Sequence, residues 1–243
     1  MVQLSVNVNK IATLRNSRGG AVPSLIEGVD TILAAGCRGI TVHPREDQRH
    51  ITPDDVRAIA TRLAPERGSV EFNIEGDPRD DFIALVLDTK PEQCTLVPVL
   101  PNEITSQAGW SEANQTEALK TAIPALKEAG IRVSLFVEAL PEPIKWARSL
   151  GADRVELYTE PYARAHERGE GEAEFKRYRD AAALAHEIGL GINAGHDLDL
   201  ENLLLFRTLP HLDEVSIGHA LISRALFVGL DRVVREYLAV LKG

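Results

Sequence analysis

The sequence predicts an α/β fold, a (β/α)8 TIM barrel with extra helical segments. Three observations predict it. Short β-rich runs alternate with amphipathic helical stretches along all 243 residues. Eight such runs begin near residues 4, 39, 69, 94, 132, 154, 191 and 214, which suits repeated βα units. Four helical stretches end alike, with a small or apolar residue before Gly36, Gly130, Gly151 and Gly189. A doubly wound open sheet less often carries eight evenly repeated units. No low-complexity linker interrupts the chain, so one catalytic domain over 1–243 is expected.

Residues 4–8 alternate as a strand does. After a turn at Gly19-Gly20, Pro23 opens a helix whose Leu25, Ile26, Val29, Ile32 and Leu33 share a face. Residues 39–43 read as the second strand. Thr52 can cap the next helix, Pro53 suits its first position, and Asp54 and Asp55 favour its positive end. Strands follow at 70–74 and 94–97, with a helix at about 78–88 between them. The segment 98–114 holds Pro98, Pro101, Gly109 and Trp110 without a sustained period, and is read as a lid or binding loop. A helix at about 115–129 contains Pro124, which costs about 3 kcal/mol or kinks the axis. Strands at 132–137, 154–158, 191–193 and 214–217 complete the set. Their helices are expected at about 142–150, 172–188, 199–207 and 221–240, with a polar loop ahead of the second of these.

Lys and Arg number 27 against 36 Asp and Glu, a formal charge of −9. That balance argues against a general nucleic-acid partner, yet a small phosphorylated ligand needs only local positive groups. The apolar runs are too short to span a bilayer, so no membrane partner is expected. With no signal-peptide pattern and two cysteines, Cys37 and Cys94, a cytoplasmic location with free thiols is the expectation.

In a barrel of this kind the site lies at the C-terminal ends of the strands. Those ends are read as carrying Asn7 and Asn9, His43, Glu71, the loop to Thr105, Glu138, Glu156, Asn193 to His196, and Gly218-His219. Histidines and carboxylates on one rim can supply proton donors and acceptors near neutral pH. Glu71 opens the run EFNIE, and period alone leaves open whether it points into the mouth or outward to solvent. Arg45, Arg49 and His50 set positive charge beside a strand-end histidine, and Arg15 and Arg18 form a second basic cluster. Gly218-His219 precedes the last helix, where a phosphate can sit on the helix N-terminus. No His-x-His, His-Glu-x-x-His or Cys-x-x-Cys pattern marks a metal site, so no metal is expected.

Seven motifs together resemble one family. They are VNVNKIATLRNSRG (6–19), GITVHPREDQRHI (39–51), VEFNIEG (70–76), TKPEQCTLVP (89–98), VELYTEPYA (155–163), INAGHDL (192–198) and SIGHALISRA (216–225). In this order they resemble the pyridoxine 5′-phosphate synthases of vitamin B6 biosynthesis. The resemblance implies a (β/α)8 barrel with extra helical segments and a flexible loop after strand four. It implies condensation of two phosphorylated substrates, 3-amino-2-oxopropyl phosphate and 1-deoxy-D-xylulose 5-phosphate. The products are pyridoxine 5′-phosphate, phosphate and water. It implies no cofactor and a homo-octamer. It makes His43 and Glu71 proton acceptors, His196 a proton donor and Glu156 a stabiliser of the transition state. It gives Asn7, Arg18, Asp197, Gly218 and His219 to the amino-ketone phosphate, and Asn9, Lys10, Arg45, His50 and Thr105 to deoxyxylulose phosphate. Two positions depart from the family: Asn9-Lys10 stands for Asp-His, and Asp197 for a glycine. The competing reading is a barrel isomerase or aldolase for another sugar phosphate, which a trapped lysine imine would reveal.

Overall fold

Among the described residues, eight parallel strands close a barrel in chain order: β1 (Gln3–Asn7), β2 (Gly39–Val42), β3 (Glu71–Gly76), β4 (Gln93–Leu96), β5 (Arg132–Val137), β6 (Arg154–Leu157), β7 (Gly191–Gly195) and β8 (Leu212–Ile217). β8 pairs back onto β1, with Ser216 opposite Ser5. The structure is a computed structural model that describes residues 2–99 and 108–243. Around the strands run α1 (Asn9–Asn16), α2 (Leu25–Ala34), α3 (Pro53–Leu63), α4 (Asp80–Thr89), α5 (Glu117–Glu128) and α6 (Pro141–Ser149). They continue as α7 (Glu160–Glu167), α8 (Gly171–Glu187), α9 (Leu203–Phe206), α10 (His219–Val228) and α11 (Leu230–Lys242). Among the described residues no helix is long and apolar enough to cross a membrane.

Local chemistry sets the helix starts. Thr52 accepts from the Asp55 amide at 3.2 Å while Asp55 accepts from the Thr52 amide at 2.9 Å, a reciprocal capping box that starts α3. Ser24 caps α2 in the simpler way, accepting from the Glu27 amide. Pro124 lies inside α5, whose Leu119, Ala122, Ile123 and Leu126 are buried. Two helices give the extra helical segments positions that the sequence pattern does not mark. Asn9–Asn16 and Glu160–Glu167 are both helical, and neither has a side-chain cap bond. The expected helix at 221–240 is two helices. Gly229, at φ +90°, breaks it where an L side chain would be strained. The expected helix at 199–207 shrinks to the four residues of α9. Of the expected loop at 98–114, residues 100–107 lie outside the described residues; beyond them the Trp110 amide donates to the Phe136 carbonyl at 2.7 Å and ties the segment to β5.

The strands bury two different faces. Outward residues such as Val6, Ile40, Ile74, Leu96 and Leu135 are fully buried under the helices. Most inward residues are polar, where bulky branched residues dominate most barrels of this class. Ser5 and Thr41 share a hydrogen bond at 2.7 Å, and Thr95 donates to Asn73 at 3.1 Å. Asn193 accepts from Arg154 at 2.9 Å and donates to Gln93 at 3.3 Å, and Gln93 also accepts from Arg132 at 3.0 Å. Buried polar groups tolerate this position because they pair with one another.

Candidate active site

The C-terminal ends of the strands surround a cavity of about 890 Å³. From the first two strand ends, Asn7, Asn9, Lys10, His43, Arg45 and His50 reach it. From the last two, His196, Asp197, Gly218 and His219 do so. Ten of the residues expected at the site therefore line one cavity.

His43 and Glu75 form the first acid–base pair. Glu75 is the fifth residue of β3 and is buried; its Oε2 lies 3.8 Å from His43 Nδ1. Asn7 holds the carboxylate from β1, donating through Nδ2 to Oε2 at 3.4 Å. Asn9 fixes the histidine's backbone, accepting from the His43 amide at 2.9 Å, while its own amide donates to Asn7 Oδ1 at 3.0 Å. Burial, then the charges of Arg45, His50, His196 and Arg79, hold His43 well below the usual imidazole range. It is neutral and able to accept a proton. Burial and the charge of Glu156 raise the Glu75 carboxyl, and the His196 charge pulls it back, leaving it at about 8.

His196 and Glu156 form the second pair, with Nδ1 3.8 Å from Oε1. Glu156 is buried on β6, and the imidazole packs on the Phe136 ring at 5.3 Å between centroids. Burial alone would lower His196. The Glu156 contact and the charges of Glu75, Glu156 and Asp197 outweigh it and push the imidazole up to about 9. Of the two paired histidines, His196 is thus a cation and His43 neutral, a division that separates a proton donor from a proton acceptor.

Positive groups flank both pairs. Lys10, Arg45 and Arg49 line one side of the cavity, with Arg45 largely buried. His50 accepts from the Ile51 amide through Nδ1 at 2.9 Å, which leaves its other ring nitrogen to carry the hydrogen. Burial, then Arg45, Lys10 and Arg49, lower His50 to about 4 against the opposing charge of Asp47, so it is a neutral donor. At the neighbouring strand end, after β8, Gly218 is the residue before α10, and His219 opens that helix. A helix N-terminus and an Arg/Lys cluster at one mouth suit two anionic groups.

Glu71 is not at this mouth. It is the first residue of β3, opposite Gly39 at the start of β2, so it sits at the barrel's N-terminal end. There it pairs with Arg132, the first residue of β5. Buried Glu214 stands beside it; burial first, then the Glu71 charge and hydrogen bond, raise the Glu214 carboxyl well above the usual range. Four residues of strand rise, about 13 Å, separate Glu71 from Glu75. Alternation puts both on the inner face, and only the register with neighbouring strands tells their depth. Arg18 is exposed beyond the end of α1 and is not among the residues lining the cavity. Thr105 lies outside the described residues. The cavity also takes in Thr13, Tyr158, Glu160, Arg164 and Ser216, which were not singled out as site residues. The motifs around 6–19, 155–163 and 216–225 pointed to these stretches without resolving the residues.

Over residues 4–243 the chain matches the family described as Pyridoxal phosphate biosynthesis protein PdxJ. The chain belongs to this family. Relatives named pyridoxine 5′-phosphate synthase include one from Christiangramia forsetii, 51% identical with all of both chains covered. Another, from Xanthomonas axonopodis pv. citri, is 52% identical over 99% of this chain and 96% of its own. Among solved structures, 3-keto-L-gulonate-6-phosphate decarboxylase from Vibrio cholerae superposes with a TM-score of 0.65 at 10% identity, covering 99% of this chain and 97% of that one. A phosphoribosylanthranilate isomerase from Thermotoga maritima gives 0.59 at 13% identity with both chains fully covered. At such identities these two neighbours speak for the barrel and not for its chemistry.

Proposed function

We propose that the chain is a pyridoxine 5′-phosphate synthase. It condenses 3-amino-2-oxopropyl phosphate with 1-deoxy-D-xylulose 5-phosphate to give pyridoxine 5′-phosphate, phosphate and water. One observation carries the reading beyond family membership: two imidazole–carboxylate pairs, His43 with Glu75 and His196 with Glu156, each at 3.8 Å, meet at one mouth.

An amine meeting a ketone must lose water, and the later ring closure must lose phosphate and protons. Each step asks for a placed acid or base. His196, held as a cation, donates a proton to a departing oxygen. His43, held neutral, takes one from carbon or nitrogen. Glu75 keeps its proton up to about pH 8 and exchanges it with His43 beside it. It supplies the carboxyl at the mouth that the resemblance expected from Glu71, here as a proton donor to His43. Glu156 steadies the positive charge on His196. Asn7, Asp197, Gly218 and His219 face the amino-ketone phosphate; Asn9, Lys10, Arg45 and His50 face deoxyxylulose phosphate. Asn9 does so chiefly by holding His43, since its oxygen is taken by that residue's amide.

The purified protein mixed with both substrates should generate the absorbance of pyridoxine 5′-phosphate. A folded sample with fresh amino-ketone that yields none refutes the reading. We also place the enzyme in the cytoplasm as a single-domain homo-oligomer, an octamer. The exposed apolar pair Leu226 and Phe227 at the end of α10 supports assembly. Sedimentation should give one species of about eight chains, and a monomer throughout would reject it.

A further inference from the structure

We propose that Thr159 is a positioning residue for His196: its hydroxyl ties the end of β6 to the turn after β7 and so holds the imidazole against Glu156. The inference rests on the reading of His196 as the acid of the reaction.

Three observations carry it. First, His196 has φ +47°, a left-handed conformation that costs a residue other than glycine about 1 kcal/mol or more. Something must hold it there. Second, Thr159 is fully buried and its hydroxyl is committed to both neighbours of His196. It donates to the Gly195 carbonyl in a close contact and accepts from the Asp197 amide at 3.4 Å. The two bonds bracket the strained residue. Third, Thr159 precedes α7, where a threonine hydroxyl ordinarily accepts from the helix's own first-turn amides. Here it makes no such bond, and α7 starts without a side-chain cap. The hydroxyl serves the neighbouring strand instead of its own helix.

The opposite side of the turn is closed by backbone. A Cβ on Gly195 would meet the Ser216 carbonyl oxygen at 2.2 Å, so β8 blocks movement away from Thr159. The same short stretch carries Glu156 three residues earlier on β6. Thr159 therefore couples the backbone bearing the carboxylate to the backbone bearing the imidazole. The titratable groups facing His196 are Glu156 from β6, Glu75 from β3, His43 beyond β2 and its neighbour Asp197. The acidic groups among them favour the imidazolium only while the ring is held there.

The test uses the full-length protein with Thr159→Val, which keeps the volume and removes the hydroxyl, and Thr159→Ser, which restores it. Imidazole titration by nitrogen-detected NMR without substrate reads the position of His196 independently of turnover. Thr159→Val is expected to lower the His196 midpoint by about one pH unit, tenfold in proton affinity, and kcat by about twofold at pH 8 and about fivefold at pH 9 as the protonated fraction falls, with KM within about twofold. Thr159→Ser is expected to return both toward wild type. A folded Thr159→Val protein with unchanged His196 titration and kcat overturns the proposal, as does equal impairment of the Val and Ser variants, which marks a packing role. If the Val variant does not fold, Thr159→Ala is measured in the same way. Full turnover by His196→Ala would remove the acid role while leaving the titration result on Thr159 to stand by itself.

Discussion

Glu75 and Glu71 lie on the same face of the same strand, and exchanging each for glutamine should separate chemistry from scaffold. Glu75→Gln keeps the shape and the Asn7 contact but removes the transferable proton beside His43. Loss of a placed acid or base lowers kcat by about 10²–10⁴, or about 3–5 kcal/mol of barrier. KM should change by less than about threefold, because the Glu75 proton matters in the transition state more than in binding. Glu71→Gln acts on the scaffold. Its ion pair with Arg132 joins side chains that are 22% and 32% exposed, so solvent screens it to about 1 kcal/mol or less. The same change relieves the repulsion that raises Glu214. The net shift in melting temperature should stay within about 2–4 °C, with kcat near wild type. Steady-state kinetics and thermal melts on both variants decide it. A Glu71→Gln enzyme that is folded and inactive, beside an active Glu75→Gln enzyme, would refute the assignment.

Three further outcomes are expected. The kcat/KM profile should fall on the alkaline side with apparent midpoints between about 8 and 9, as Glu75 and His196 lose protons, and His196→Gln should lower turnover by about 10²–10⁴. Stability should also depend on pH in two windows. His196, raised in the fold, contributes stability that is complete below about 6.5 and lost as pH rises through about 9. His50, lowered in the fold, costs stability as pH falls from about 6.5 to about 4, because only the unfolded chain gains that proton. Urea midpoints at pH 5, 7 and 9 on His196→Gln and His50→Gln should each show one window flattened. Finally, Arg45→Ala should raise KM for one phosphorylated substrate by about 10–100-fold with kcat little changed, and Arg45→Lys should recover only part of it, since a point charge lacks the planar fork.

The barrel was legible because its signals are local and repeated. Apolar stripes, the Thr52 cap and the glycines closing four helices each follow from a few neighbouring residues. α1 was not legible, since Val8 stands before it and no side chain caps it. α7 had a usable signal in Thr159-Glu160-Pro161, a proline at the start of a helix, and Gly229 in the run FVGLDR marked the break before α11. The site was legible in its residue types and in most of its positions. Glu71 was misplaced for a physical reason: Glu71, Asn73 and Glu75 all point inward, so alternation offers no contrast between the floor of the barrel and its mouth. Depth along a strand is a property of pairing with distant segments, which no local window contains.

The polar inside of the barrel also constrains how such a chain can diverge. A ring of branched aliphatic side chains can exchange members singly, provided volume is kept. Asn193, Gln93, Arg154 and Arg132 cannot, because each hydrogen-bonds another of the set. Asn193→Leu alone would remove the bonds to Arg154 and Gln93 together, at about 0.5–3 kcal/mol for each bond lost. Substitutions here must therefore arrive in compensating sets, and their energies will not add. The innermost layer of this enzyme should drift through time as linked blocks, while the apolar shell outside it drifts one residue at a time.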